Sequence, residues 1–176
     1  MARPAVAAVI GAATTAFPRP AVLLAQEPDA AGQMRWVAGF GGYAGDHVEP
    51  TVEAIAKRAR EINSPEIASL AESGESIGAP ARYLFEHSQR RRFERMPRFP
   101  ANFLVMGDAL ASFNPVYVQG MTVVACEALA LQQAIGGSGP LMARQFFRDA
   151  ARIIDTPWQM AAGSDLQISQ AHGPRP

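Results

Sequence analysis

The residues with the most chemical content lie between Arg98 and Met121. Gly107-Asp108-Ala109 follows the short apolar run from Asn102 to Met106, and Ser112-Phe113-Asn114-Pro115 leads on to Gly120-Met121. Bounded by Pro100 and Gly107, the run predicts a buried strand, and the residues beyond Pro115 predict a long helix. An acid delivered by a strand into a loop that opens a helix suits a ligand that is part polyol and part anion. Asp108 accepts hydroxyl protons, while unpaired N–H groups near Gly120 and Met121 carry the positive end of the helix dipole. The structural alternative for Asp108 is a turn or N-cap residue.

The elements that must position these residues follow from periodicity. Ala21 to Gln26 and Arg35 to Phe40 are apolar runs separated by Pro28-Asp-Ala-Ala-Gly32, which predicts paired strands joined by a loop. Gly39, Gly41, Gly42 and Gly45 then break regularity, as a ligand-facing loop or an ordinary wide turn would. Pro50 and Glu53 open a helix that Asn63-Ser64-Pro65 interrupts, and a second short helix runs from Pro65 to Ala71. Tyr83 to Glu86 and Arg91 to Arg95 predict two more strands. Met121 to Ala134 is a helix apolar nearly all round, expected to be buried on most sides and ended by Gly136-Gly-Ser-Gly-Pro140. Leu141 to Ile154 predicts an amphipathic helix, and Thr156-Pro157-Trp158 opens another short one. The expected class is α/β, an α+β mixed sheet flanked by helices.

Composition narrows the function classes. With 176 residues and 48% hydrophobic content the chain can bury a core, and sixteen basic against sixteen acidic side chains imply no general attraction to nucleic acid or anionic membrane. A single cysteine, Cys126, excludes an internal disulfide, agrees with a reducing, cytoplasmic setting, and lies in an apolar helix where packing is its expected role. Met1 to Ala16 has the outline of a short secretory signal, too short to span a bilayer; the plainer expectation is an undetermined start covering residues 1–20. No pair of His, Cys or carboxylates has metal-ligand spacing, so no metal site is expected. Arg90, Arg91, Arg92, Arg95 and Arg98 could clamp a phosphate or carboxylate, but alternation along a strand points several of them to water.

The string around Gly107-Asp108-Ala109, Asn114-Pro115 and Gly120-Met121 resembles the second FAD-binding motif of the class A flavoprotein monooxygenases, the para-hydroxybenzoate hydroxylase and polyprenyl-methoxyphenol hydroxylase group. Trp36 to His47 and Tyr83 to Met96 resemble the substrate-domain sheet of that group, and Phe146 to Pro176 resembles the segment after the motif helix. The resemblance implies a partial FAD-binding fold: residues 21–98 a substrate-domain-like region, residues 99–176 the C-terminal part of the FAD-binding domain. It implies FAD as cofactor and NAD(P)H as reductant. Gly107 and Asp108 would meet the ribityl chain, Pro115 the wall beside the ring, and Gly120 and Met121 the ring's N1 and C2 carbonyl. Trp36, Tyr43 and Phe85 would line an apolar pocket for an aromatic or isoprenoid substrate.

Two departures accompany the resemblance. Val118 stands where the group has the first glycine of Gly-x-Gly, and a β-branched residue is poorly suited to positive φ. No Gly-x-Gly-x-x-Gly fingerprint occurs in the sequence, so the pyrophosphate cradle is expected from a missing N-terminal half, on a separate Rossmann-type partner chain or as lost sequence. The leading expectation is a fragment or subunit of an FAD-dependent hydroxylase. An isoprenoid reductase or alkene epoxidase of the same superfamily, and a non-catalytic remnant or interaction subunit, are the alternatives.

Overall fold

The computed structural model describes residues 7–100, 103–135 and 140–176. They form an α+β structure of small antiparallel sheets and four helices, arranged as two compact units. One unit comprises the described residues up to Leu84 together with Ile168–Ala171; the other comprises Phe85–Gln167 with His172–Pro176.

In the first unit, strands β1 (Ala8–Gly11), β2 (Ala21–Gln26) and β3 (Arg35–Phe40) make an antiparallel sheet in that order. β2 and β3 occupy the bounds that their apolar runs predict. Alternation then sorts the side chains: Val9 opposite Leu23, Leu23 opposite Ala38 and Ala21 opposite Phe40 all face one core. The other face presents Ile10 and Val37 to solvent. Helices α1 (Val52–Glu61) and α2 (Pro65–Ser73) cover the core face through Ile55, Ala59, Ile67 and Leu70. Thr51 caps α1 by accepting the Ala54 N–H at 3.1 Å, and Pro65 opens α2 at a position that has no intrahelical acceptor to lose. Ala8–Gly11, within the N-terminal stretch left undetermined by the sequence, is thus an edge strand; residues 1–6 of the signal-like run lie outside the described residues.

The glycine-rich segment after β3 folds back on itself. A Cβ on Gly42 would lie 1.6 Å from the Asp46 carbonyl oxygen, so only glycine fits there. Asp46 is the anchor of this turn: it accepts from Arg19 Nε at 2.6 Å and from Arg58 Nη2 at 2.9 Å, and Arg58 Nε also pairs with Glu61 at 3.4 Å. The hydrogen bond from Arg58 is the main reason that the Asp46 carboxyl titrates at about 2; burial works against it, and the bond from Arg19 adds to it. Its folded pKa lies below the ordinary value of 3.8, so the stabilisation is present in full above that pH and is lost as pH falls toward about 2. With 31% of the side chain exposed, Asp46→Asn is expected to lower unfolding free energy by about 1–2 kcal/mol at pH 7 after allowance for screening. Urea unfolding of both proteins between pH 7 and pH 2 checks this, and the gap should close toward the acid end.

The second unit is built on α3 (Gly120–Ala134) and α4 (Pro140–Asp165), with a two-residue ladder of β4 (Gln89–Arg90) against β5 (Ala111–Ser112). Its core gathers Leu110, Phe113, Val123, Ala130, Phe146, Phe147, Ala150 and Ile154. Several sequence expectations are corrected here. Phe103–Met106 is extended but joins no ladder among the described residues, and Leu104, Val105 and Met106 pack on the core as a loop; Asn102 lies outside the described residues. Tyr83–Glu86 is not a strand: Tyr83 and Leu84 are exposed, so the segment has no apolar face to bury. Phe93–Arg95 turns into a 3-10 helix, which lays Phe93 against Phe99 and Phe147 at centroid distances of 5.5 and 5.4 Å. The expected single mixed sheet is therefore two separate antiparallel ladders.

In the arginine run Arg91, Arg95 and Arg98 are exposed, as alternation leads one to expect, though not on a strand; Arg90 is the exception. Arg90, 3% exposed, donates to Asp155 Oδ1 at 2.6 Å and to the Ala151 carbonyl at 3.1 Å, tying β4 to α4. Helix α4 runs unbroken through Pro157, where two helices are expected from sequence. Proline there removes one intrahelical bond, but the apolar stripe continues at helical spacing from Ala143 through Phe146, Ala150 and Ile154 to Trp158 and Ala161, and its burial holds the helix together. Helix α3 buries one side only, through Val123, Glu127, Ala130 and Ala134; Met121 and Leu129 are 77% and 61% exposed. The glycine-rich segment 136–139 expected to end α3 lies outside the described residues.

Candidate functional site

Gly107–Ala109 forms a 3-10 turn between the extended segment and β5, packed against α3. Gly107 has φ +63°, and a Cβ there would also sit 3.3 Å from Val124 Cγ2, tighter than ordinary contact. A side chain there would be strained by conformation and would crowd Val124, and its absence lets the turn lie close on the helix. Its amide donates to Glu127 Oε2 at 2.6 Å. Arg91 closes the far end, donating from Nη1 to the Ala109 carbonyl at 2.9 Å and from its backbone N–H to the Leu110 carbonyl at 2.9 Å.

This arrangement aims Asp108 at the beginning of α3. A Cβ on Gly120 would lie 4.0 Å from Asp108 Oδ1, so the carboxylate stands at the first residue of the helix while the Asp108 side chain stays exposed. The structure thus brings Gly107, Asp108 and Gly120 together. Met121, also in the first turn of α3, is exposed. Amides in the first turn of a helix have no acceptor within it, and they carry its positive end.

The loop between β5 and α3 is tied down at several points. The Asn114 side chain accepts the Val116 N–H at 3.2 Å and donates to Asp165 Oδ1 at 2.9 Å; Tyr117 Oη donates to the same Asp165 oxygen at 2.9 Å. The Asn114 N–H donates to Ser88 Oγ at 3.1 Å. Pro115 opens a 3-10 turn over Pro115–Tyr117 and is exposed. Val118, next in line, has φ +54° and ψ +28° and is 72% exposed. Although a β-branched residue is poorly suited to it, Val118 adopts the left-handed conformation. Left-handed geometry costs an L-residue roughly 1–2 kcal/mol, and glycine's extra freedom in the unfolded chain returns part of that. Val118→Gly is expected to raise the urea midpoint, a net gain of about 0.5–1 kcal/mol.

Glu127 is the functional candidate that sequence reasoning passed over. It is fully buried two turns into α3; Oε2 takes the Gly107 N–H, and Oε1 has no partner among the described residues. Burial pushes its carboxyl above the ordinary range, the Gly107 N–H opposes this, and the nearby Asp108 charge adds to it. The signal was present as the single acid in Gly120–Ala134, since an unpaired acid is among the rarest fully buried residues.

Of the expected pocket residues, Trp36 packs on the core of the first unit with Phe40 and Ile55. Tyr43 is half-buried in that unit's loop, and Phe85 is half-buried at the start of the second. Among the described residues no cluster of three or more His, Cys, Asp or Glu could hold a metal ion.

Compared with known proteins, the chain matches no family model. It is similar to Protein Rv3254 of Mycobacterium tuberculosis (strain ATCC 25618 / H37Rv), with 30% identity over 140 residues that cover 77% of this chain and 30% of the relative. The chain thus spans under a third of the length of that relative. That name describes no activity.

Asp108 at the start of α3 is an acceptor of the kind that a polyol hydroxyl needs. A carboxylate held at a helix start, beside a glycine with nothing else within 4 Å of its added Cβ, leaves room for a polyol chain against backbone N–H groups. For the adenosine and pyrophosphate this sequence offers no glycine fingerprint.

Proposed function

We propose that this chain is the C-terminal part, as fragment or subunit, of an FAD-dependent oxidoreductase of the para-hydroxybenzoate hydroxylase type, a monooxygenase acting on an aromatic or polyprenyl-ring substrate. The observation that carries the reading is the Asp108 carboxylate at the start of α3, presented by the left-handed Gly107. In this reading Asp108 binds ribityl hydroxyls. The Gly120 and Met121 amides stabilise negative charge at the ring's pyrimidine edge, and Pro115 walls the ring. Bound FAD would supply the redox chemistry, taking a hydride from NAD(P)H and activating dioxygen. The nucleotide half of the cofactor is assigned to residues outside this sequence, in a longer protein or on a Rossmann-type partner chain. Trp36 and Tyr43 in the first unit and Phe85 in the second remain separate candidates for contact with an apolar substrate, and the proposed setting is cytoplasmic, in keeping with a single cysteine. Among the described residues no helix is long and apolar enough to cross a membrane.

Flavin fluorescence titration tests the reading. Because only the ring and ribityl end are held here, riboflavin and FAD should bind this chain with similar affinity, and ADP should not compete. No quenching or polarisation change with either flavin at millimolar protein would overturn the assignment, as would binding that ADP displaces.

A further inference from the structure

We propose that Glu127 is a positioning residue: its buried carboxyl group holds the Gly107 amide and thereby fixes where the Asp108 carboxylate stands over the first turn of α3. Only the identity of the ligand that Asp108 receives rests on the flavin reading; the coupling of Glu127 to the turn is a property of the fold.

Four observations converge on this. Glu127 is fully buried in a helix whose other inward residues, Val123, Ala130 and Ala134, are apolar. A carboxyl group in such surroundings is expensive unless it is hydrogen-bonded or neutral. Its hydrogen-bond partner among the described residues is the amide of Gly107, where left-handed φ and the close approach to Val124 strain any side chain. That residue directly precedes Asp108, so a displacement of the Gly107 amide moves the Asp108 carboxylate relative to Gly120. The remaining oxygen, Oε1, is buried with no partner among the described residues, so these residues build no polar network around the group.

The chemistry of the position gives it a pH signature. A neutral carboxyl accepts the Gly107 N–H through Oε2, whereas an ionised one sets a second negative charge close to Asp108 with Oε1 unsolvated. Two elements pack against α3. The Gly107–Ala109 turn brings Asp108, the charged group acting on Glu127, and α4 packs along the helix as well. On α3 itself Cys126 is the neighbouring titratable residue. Burial, with Asp108 in support, holds the proton on Glu127 above the ordinary carboxylate range, while the Gly107 N–H favours the ionised form, so its hydrogen bond to Glu127 tightens as the group ionises with rising pH.

The test is a pH titration of the Gly107 and Asp108 amide resonances in the full chain by 15N-resolved NMR, with riboflavin affinity measured alongside. The wild type is expected to show a Gly107 amide shifted by its short hydrogen bond, titrating with a midpoint above that of an ordinary glutamate. Glu127→Gln, which mimics the neutral acid, should keep the shifted amide, abolish the titration and retain riboflavin affinity. Glu127→Leu should lose the shift and weaken riboflavin about tenfold; because it could also misfold, the wild-type and Gln proteins decide the matter alone. A Gly107 resonance indifferent to pH in the wild type, or one still titrating in Glu127→Gln, would overturn the proposal. The expected amide behaviour without any riboflavin binding would uphold it and remove the flavin reading instead.

Discussion

Phe146→Ala is expected to lower the unfolding free energy of the unit that contains it by about 3–5 kcal/mol. Phe146 is fully buried on α4, and its ring lies 5.4 Å from that of Phe147, which in turn meets Phe99 at 4.5 Å and Phe93 at 5.4 Å. Removing it opens a cavity beneath an aromatic cluster that Phe93, within the arginine run, and Phe99, just after it, complete. Those two rings sit on loop and 3-10 segments with little regular hydrogen bonding of their own, so their order depends on the helix surface they cover. Against the roughly 5–15 kcal/mol typical of a domain the loss is large. The two tryptophans give a way to see it, since Trp36 reports on the first unit and Trp158, 6.0 Å from Phe113, on the second. In urea unfolding followed in Trp36→Phe and Trp158→Phe backgrounds, the Trp158 signal should shift to lower midpoint with little change in slope. A loss under 1 kcal/mol would mean that the aromatic cluster packs without it.

What could be read from the sequence divides along a physical line. β2, β3, α1 and α2 were legible because their signals are local: alternating apolar residues broken by Pro28 to Gly32, and helical spacing broken by Asn63 and Pro65. Asp29 shows how local the first of these is, since its Oδ1 accepts both the Ala31 and Gln33 N–H groups and closes the β2–β3 loop by itself. The misread segments were those whose state depends on a distant partner. The apolar run before Gly107 encodes burial, but a strand also needs a neighbour to pair with, and Leu104 to Met106 find the core without one. Arg90 looks solvent-bound until Asp155, far along the chain, is placed beside it. Pro157 reads as a helix break because its cost is local, whereas the burial of Trp158 and Ala161 that outweighs it is tertiary. At the candidate site the motif residues could be placed in order, whereas the positive φ that Val118 adopts was not legible, and Glu127 was hidden by the apolar helix around it.

The second large effect is at Asp108. Asp108→Ala is expected to weaken riboflavin and FAD binding by about 10–150-fold, the roughly 1.5–3 kcal/mol associated with a charged hydrogen-bond acceptor. Because the side chain is exposed, stability should change by no more than about 0.5 kcal/mol. The separation of the two quantities is the point of the experiment. An aspartate that only shapes the turn would show the opposite pattern, a loss of stability with flavin affinity untouched. Geometry argues for the first pattern: the backbone of the turn is fixed by the Gly107 conformation, by the Glu127 carboxyl and by Arg91 on the Ala109 carbonyl, none of which uses the Asp108 side chain. Asp108→Asn keeps an oxygen acceptor at the same place without its charge, so its affinity should fall between those of wild type and alanine variant. Equal losses for the two variants would show that charge, working with the positive end of α3, outweighs the hydrogen bond itself. No loss in either would detach Asp108 from the ligand and leave the α3 amides without the partner on which the flavin assignment depends.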